Sequence, residues 1–72
     1  MTEIETLSAV VLLEDVREQG LLRGQVGTVV EPLAPGVYEV EFVDDRGQTY
    51  ACLPLRADQL IRLRNEPSHK AA

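Results

Sequence analysis

Val37-Tyr-Glu-Val-Glu-Phe-Val43 is the stretch that decides the fold. Tyr38, Val40 and Phe42 alternate with Glu39 and Glu41. A period of two sends the apolar set to one face of a β-strand and the acids to the other. Asp44-Asp45-Arg46-Gly47 follows at once. It fits a type I turn closed by a left-handed glycine, the three-residue hairpin loop with a bulge. That geometry sets Asp44 opposite Gln48, Phe42 opposite Tyr50 and Val40 opposite Cys52, a ladder of four core side chains. A loop longer by one residue would shift the parity and bury Ala51 and Leu53 instead. The position of the glycine favours the first register.

Breakers mark out further segments on either side. Ala34-Pro35-Gly36 is a turn, since Pro fixes φ at the second position and Gly accepts positive φ at the third. Before it, Val26–Leu33 carries Gly-Thr-Val-Val and reads as a strand stopping around Pro32. Ser8–Leu13 is an apolar run of strand length, and polar Glu14–Gly20 reads as a loop. Beyond the hairpin, Pro54 ends its strand or lies on a sheet edge. Arg56–Gln59 has room for one 3₁₀ turn, and Leu60–Arg64 makes a last short strand. Helical periodicity is nowhere sustained for three turns. The expected fold is all-β: a small, five-stranded antiparallel barrel with one short 3₁₀ turn before the last strand. It occupies residues 1–64 as one domain, with 65–72 a flexible tail. The expected core takes Val11 and Leu13 from the first strand and Val26 and Val29 from the second. Tyr38, Val40 and Phe42 come from the third, Tyr50 and Cys52 from the fourth, and Leu60 and Leu63 from the last.

Composition limits the alternatives. With 72 residues, 44% apolar and 26% charged, the chain can build one small globular domain. One cysteine excludes an internal disulfide and a cysteine-based zinc site. Residues 1–55 hold three arginines against ten acids, a net −7. Arg56, Arg62, Arg64 and Lys70 against Asp58 and Glu66 leave residues 56–72 at +2. The overall −5 opposes nucleic acid and anionic membrane, both of which need phosphates neutralised by basic side chains. The longest apolar run, Ala9–Leu13, is far short of a membrane span, and acids precede it where a signal peptide has bases. A cytoplasmic protein is expected.

The segment Gly20-Leu-Leu-Arg-Gly24-Gln-Val-Gly27-Thr-Val-Val30 resembles the opening of SH3-like barrels and of KOW segments in ribosomal and transcription proteins. In such a segment the glycines permit a tight turn, a bulge and close backbone approach. A longer ordered set starts with Leu13-Glu-Asp, Gly20-Leu and the glycine segment and continues through Tyr38-Glu-Val-Glu-Phe-Val-Asp. It closes with Gly47-Gln-Thr, Leu53-Pro-Leu and Gln59-Leu60. This set is similar to the bacterial domain-of-unknown-function family DUF4926, over roughly residues 8–63. The resemblance implies an SH3-like fold and carries no functional residues with it.

Each candidate site has a plainer reading beside it. Gly20, Gly24 and Gly27 match neither a dinucleotide fingerprint nor a Walker loop, which leaves turn and bulge geometry. Glu39 and Glu41 share a strand face near Asp44 and Asp45, with Glu31 on a neighbouring strand. Such a cluster can solvate a strand, dock a basic protein surface or hold a hard cation; no calcium-loop spacing supports the last. Cys52 needs a nearby base to act as a nucleophile. The sole histidine, His69, falls in the expected tail, so Cys52 reads as a core thiol. Arg17, Arg23 and Arg46 lie in loops with acids close by, and aromatic content of 4% leaves little for base stacking. No triad, metal motif or cofactor fingerprint is present. The sequence therefore points to a non-catalytic interaction module binding a basic protein through Glu39, Glu41, Asp44 and Asp45. Its role would be that of an accessory subunit or the neutralising half of a two-gene pair. Exposed strand edges also allow a homo-oligomer. The competing reading is a nucleic-acid module by analogy with KOW barrels, which the charge opposes.

Overall fold

The alternation along residues 37–43 is realised as β3 (Val37–Val43), with Tyr38, Val40 and Phe42 buried and Glu39 and Glu41 on the other face. In this computed structural model residues 3–64 and Pro67 are described, so the expected tail, His69 included, otherwise lies outside them. The remaining strands are β1 (Ala9–Leu12), β2 (Val26–Ala34), β4 (Thr49–Arg56) and β5 (Leu60–Arg62). They form one antiparallel sheet in the order β4-β3-β2-β1-β5, and the described residues contain no α-helix. The expected 3₁₀ turn before the last strand is Ala57–Gln59. A second one, Arg17–Gln19, lies inside the segment expected to be plain loop.

The sheet is not closed into a barrel. β4 and β5 stand at opposite ends of the hydrogen-bonded order, although Leu55 and Leu60 belong to the same core. β5 offers only three residues, already paired with β1, and Pro54 withdraws a donor from β4. Curvature comes from β2, which runs past Pro32 to Ala34. Register shifts between Val29 and Glu31 and between Pro32 and Ala34 leave Val30 and Leu33 as extra residues opposite β3. Each such bulge bends the strand and sharpens its twist.

The hairpin loop has the expected form and the ladder does not. The Asp44 amide donates to the Gln48 carbonyl at 2.8 Å and the Gly47 amide to the Asp44 carbonyl at 2.9 Å; Gly47 has φ +83°. One step further, β4 carries an extra residue. Val43 pairs with Thr49 but Phe42 pairs with Ala51, so Tyr50 is bulged out. Val40 consequently faces Leu53, and Ala51, Leu53 and Leu55 point inward. Tyr50 is 47% exposed, its ring tilted against Phe42 at 6.3 Å, and Cys52 is exposed. The alternative parity was the right one, produced by a bulge and not by a longer loop.

A similar inversion occurs on β1. Val10 and Leu12 are fully buried, whereas Val11 is half-buried and Leu13 is exposed. Val26 and Leu63, also expected inside, are exposed. Leu12 pairs with Leu60, and Val10 pairs with Gly27. A Cβ at Gly27 would lie 2.7 Å from Val40 Cγ1 and 2.9 Å from Phe42 Cε2, so the absence of a side chain there lets β3 fill the core. Leu21, fully buried, comes from the loop: Val16 and Leu21 exchange backbone hydrogen bonds and fold that loop over the core.

Candidate docking surface

With Tyr38, Val40 and Phe42 turned inward, β3 presents Glu39 and Glu41 on the outer face of the sheet. The bulge at Val30 returns β2 to a phase in which Glu31 lies directly opposite Glu39. Like charges placed opposite each other destabilise a sheet. On the other side Glu41 pairs with Cys52 and Glu39 with Pro54. The Cys52 thiol donates to Glu39 Oε2 at 3.2 Å, and the Thr49 hydroxyl donates to Glu41. Glu39 accepting its proton, with some desolvation and the charges of Glu39 and Glu41, pushes the Cys52 pKa up to about 11. Cys52 is thus an exposed thiol held protonated in an acidic field, the opposite of an activated nucleophile.

Asp44 and Asp45 occupy the β3–β4 loop and have different duties. Asp44 Oδ1 accepts from the amides of Arg46 at 2.8 Å and Gln48 at 2.9 Å, so it organises the loop. Asp45 stands exposed beside it. Among the described residues the ion pairs are Arg17–Asp15 at 3.0 Å and Arg56–Asp58 at 2.9 Å, and Glu31, Glu39, Glu41, Asp44 and Asp45 enter neither. The three loop arginines are dispersed in their roles. Arg17 pairs with Asp15, the Arg23 amide also donates to Asp15, and Arg46 lies in the β3–β4 loop.

The same outer face has a second, apolar region, of which Val11, Val26 and Leu63 were expected in the core. Val11 lies between Val26 and Ile61 in the ladder. Extending the Thr28–Glu41 register by two residues brings Val43 opposite Val26. Val26 and Ile61 are 51% and 52% exposed, and Val43 and Leu63 are also exposed. The signal for this region was visible as consecutive apolar residues in Ala9–Leu13, where both phases are hydrophobic.

Other features offer less. A depression beside the β2–β3 turn is lined by Glu3, Pro32, Leu33, Pro35 and Tyr38, and the Tyr38 hydroxyl there accepts from the Ile4 amide at 3.1 Å. Gln59, buried, accepts from the Arg56 amide and donates to Glu14, tying the 3₁₀ turn to the loop after β1. Among the described residues no three His, Cys, Asp or Glu side chains are grouped to hold a metal ion, and no helix is long and apolar enough to cross a membrane.

No curated protein and no solved structure matches the chain. Residues 6–62, which contain all five strands of the curved sheet, match the family model described as Domain of unknown function (DUF4926), and the chain belongs to that family.

Proposed function

We propose that this domain is a non-catalytic interaction module whose acidic outer face, carried by Glu39, Glu41, Asp44 and Asp45 with Glu31 beside them, docks a basic protein. The observation that carries the reading is the placement of Glu31 opposite Glu39 on a face where, among the described residues, no cation answers them. A sheet gains nothing for its own stability from that arrangement. A basic partner would convert the repulsion into complementarity, which speeds encounter and selects partners. The non-catalytic part is supported by Cys52, whose raised pKa leaves roughly one thiol in ten thousand ionised at neutral pH.

The test is capture from native lysate at low and high salt. Recovery of a basic protein that weakens as salt rises, and that is lost on Glu39→Lys with Glu41→Lys, is the expected result. Salt-sensitive recovery of RNA or DNA with no protein would overturn it in favour of a nucleic-acid module.

A further inference from the structure

The acids are only half of the outer surface. Val26, Val11 and Ile61 are ladder neighbours on β2, β1 and β5, and the β2–β3 register, extended from Thr28–Glu41, sets Val43 of β3 beside Val26. Three interstrand spacings make that row about 14–15 Å long. Leu63 extends the apolar surface: its amide donates to the carbonyl of Ala9, two residues along β1 from Val11, at 2.9 Å. Side chains of this size on an outward face do not serve the core, which is filled from the opposite side by Val10, Leu12, Val29, Val40 and Phe42. At its β3 end the row is bordered by acids. Glu41 is two residues from Val43 along β3, and Asp44 and Asp45 follow Val43 directly.

We infer that this row and its acidic border form one composite docking surface, and that its occupant is a cationic amphipathic segment of another protein. Resting on the interaction-module reading above, the inference specifies the partner's chemistry: aliphatic side chains to cover Val11, Val26, Val43 and Ile61, with lysines or arginines set to meet Glu41, Asp44 and Asp45. A purely basic surface would leave the row wet, and a purely apolar one would leave the acids uncompensated. A second copy of this chain matches the row and not its border, because two molecules of net charge −5 bring acid against acid. The charge pattern therefore selects a cationic protein segment over self-association.

The experiment uses the whole chain and two synthetic peptides of equal charge, one alternating lysine with leucine and one of lysine with glycine. Affinities are measured at low and high salt for the wild type, for Val26→Ser with Ile61→Ser, and for Glu39→Lys with Glu41→Lys. Melting curves check that each variant is folded. The lysine–leucine peptide is expected to bind the wild type more tightly than the lysine–glycine peptide and to keep part of its affinity at high salt. The serine pair should weaken the lysine–leucine peptide by about tenfold and leave the lysine–glycine peptide unchanged. If both peptides bind equally and the serine pair changes neither, the composite surface is wrong while the acidic face stands. If charge reversal weakens neither peptide, the acidic face fails as well. Sedimentation of the wild type as a dimer that the serine pair dissociates would assign the row to a second copy and overturn the inference.

Discussion

The two halves of the outer sheet surface rest on one core and differ in almost everything else. Across β3 and β4 the outward residues include Glu39, Glu41, Thr49 and Cys52, and on β3 polar alternation states the orientation of the side chains from Tyr38 to Phe42. From the start of β2 across β1 to β5 and just beyond it, the outward residues include Val26, Val11, Ile61 and Leu63, as apolar as the residues beneath them. One half of the sheet resembles an ordinary solvated strand face, while the other is a strand face built to be covered. The difference teaches that hydrophobicity alone does not locate a core in a small sheet. Ladder partners do: Leu12 lies inside opposite Leu60, and Val10 lies inside opposite Gly27, whose missing side chain lets Val40 and Phe42 close the core.

The largest expected effect lies in the core the two halves share. Val40 is fully buried between Val29 and Leu53 in the ladder. Val40→Asp strands a carboxylate there and should abolish the cooperative melt, because a buried unpaired charge exceeds what a domain of this size can offset. A variant melting like the parent would mean that the inward face of β3 has been misassigned.

Next in size is the contrast within β1. Leu12→Ala should cost about 2–5 kcal/mol in denaturant unfolding, the range for truncating a buried leucine. The adjacent Leu13→Ala, at a side chain 45% exposed, should cost less than about 1 kcal/mol. Equal costs would erase the distinction between an inner and an outer apolar face.

Cys52 reports on the acidic half. Alkylation should be slow at neutral pH and rise with pH up to about 11, and Glu39→Ala should accelerate it by removing both the hydrogen bond and the nearest charge. Because the folded pKa is raised from the model-peptide value of 9.0, the thiol's contribution to stability is fully present below pH 9 and is lost as pH rises through about 11. A labelling rate unaffected by Glu39→Ala would remove Glu39 as the cause.

The smallest expected effect is a gain. Glu31→Lys replaces the like-charged pair with Glu39 by an opposite one and should raise stability by about 0.2–1 kcal/mol. The same substitution should weaken capture of a basic partner, so stability and binding move in opposite directions at one residue. A variant both less stable and unchanged in binding would break the link drawn between the acidic face and docking.

How much was legible follows the same division. The five strands, the 3₁₀ turn at Ala57–Gln59, the outward Glu39 and Glu41 and the Asp44–Gly47 loop all follow from local residue types, whose rules are short-range. The bulge at Tyr50 was not legible, since Thr49-Tyr-Ala-Cys52 fits the pleat equally well in either phase. Nor was the phase of β1, where Val10, Val11, Leu12 and Leu13 are all hydrophobic and only cross-strand partners decide. Leu21 went unrecognised because its burial depends on the Val16–Leu21 closure of a loop, a contact with no periodic signature. The outward placement of Glu39 and Glu41 is independent of these phases because it depends on β3 alone.

Methyl NMR of the chain titrated with the lysine–leucine peptide tests the central claim most directly. The methyl signals of Val11, Val26, Val43 and Ile61 should move together, while those of Val10, Leu12 and Val40, close in sequence but on the buried face, should stay in place. Shifts confined to the methyls of Leu33 and Ala34 beside the β2–β3 turn, or movement of the buried methyls with the outer row silent, would contradict it.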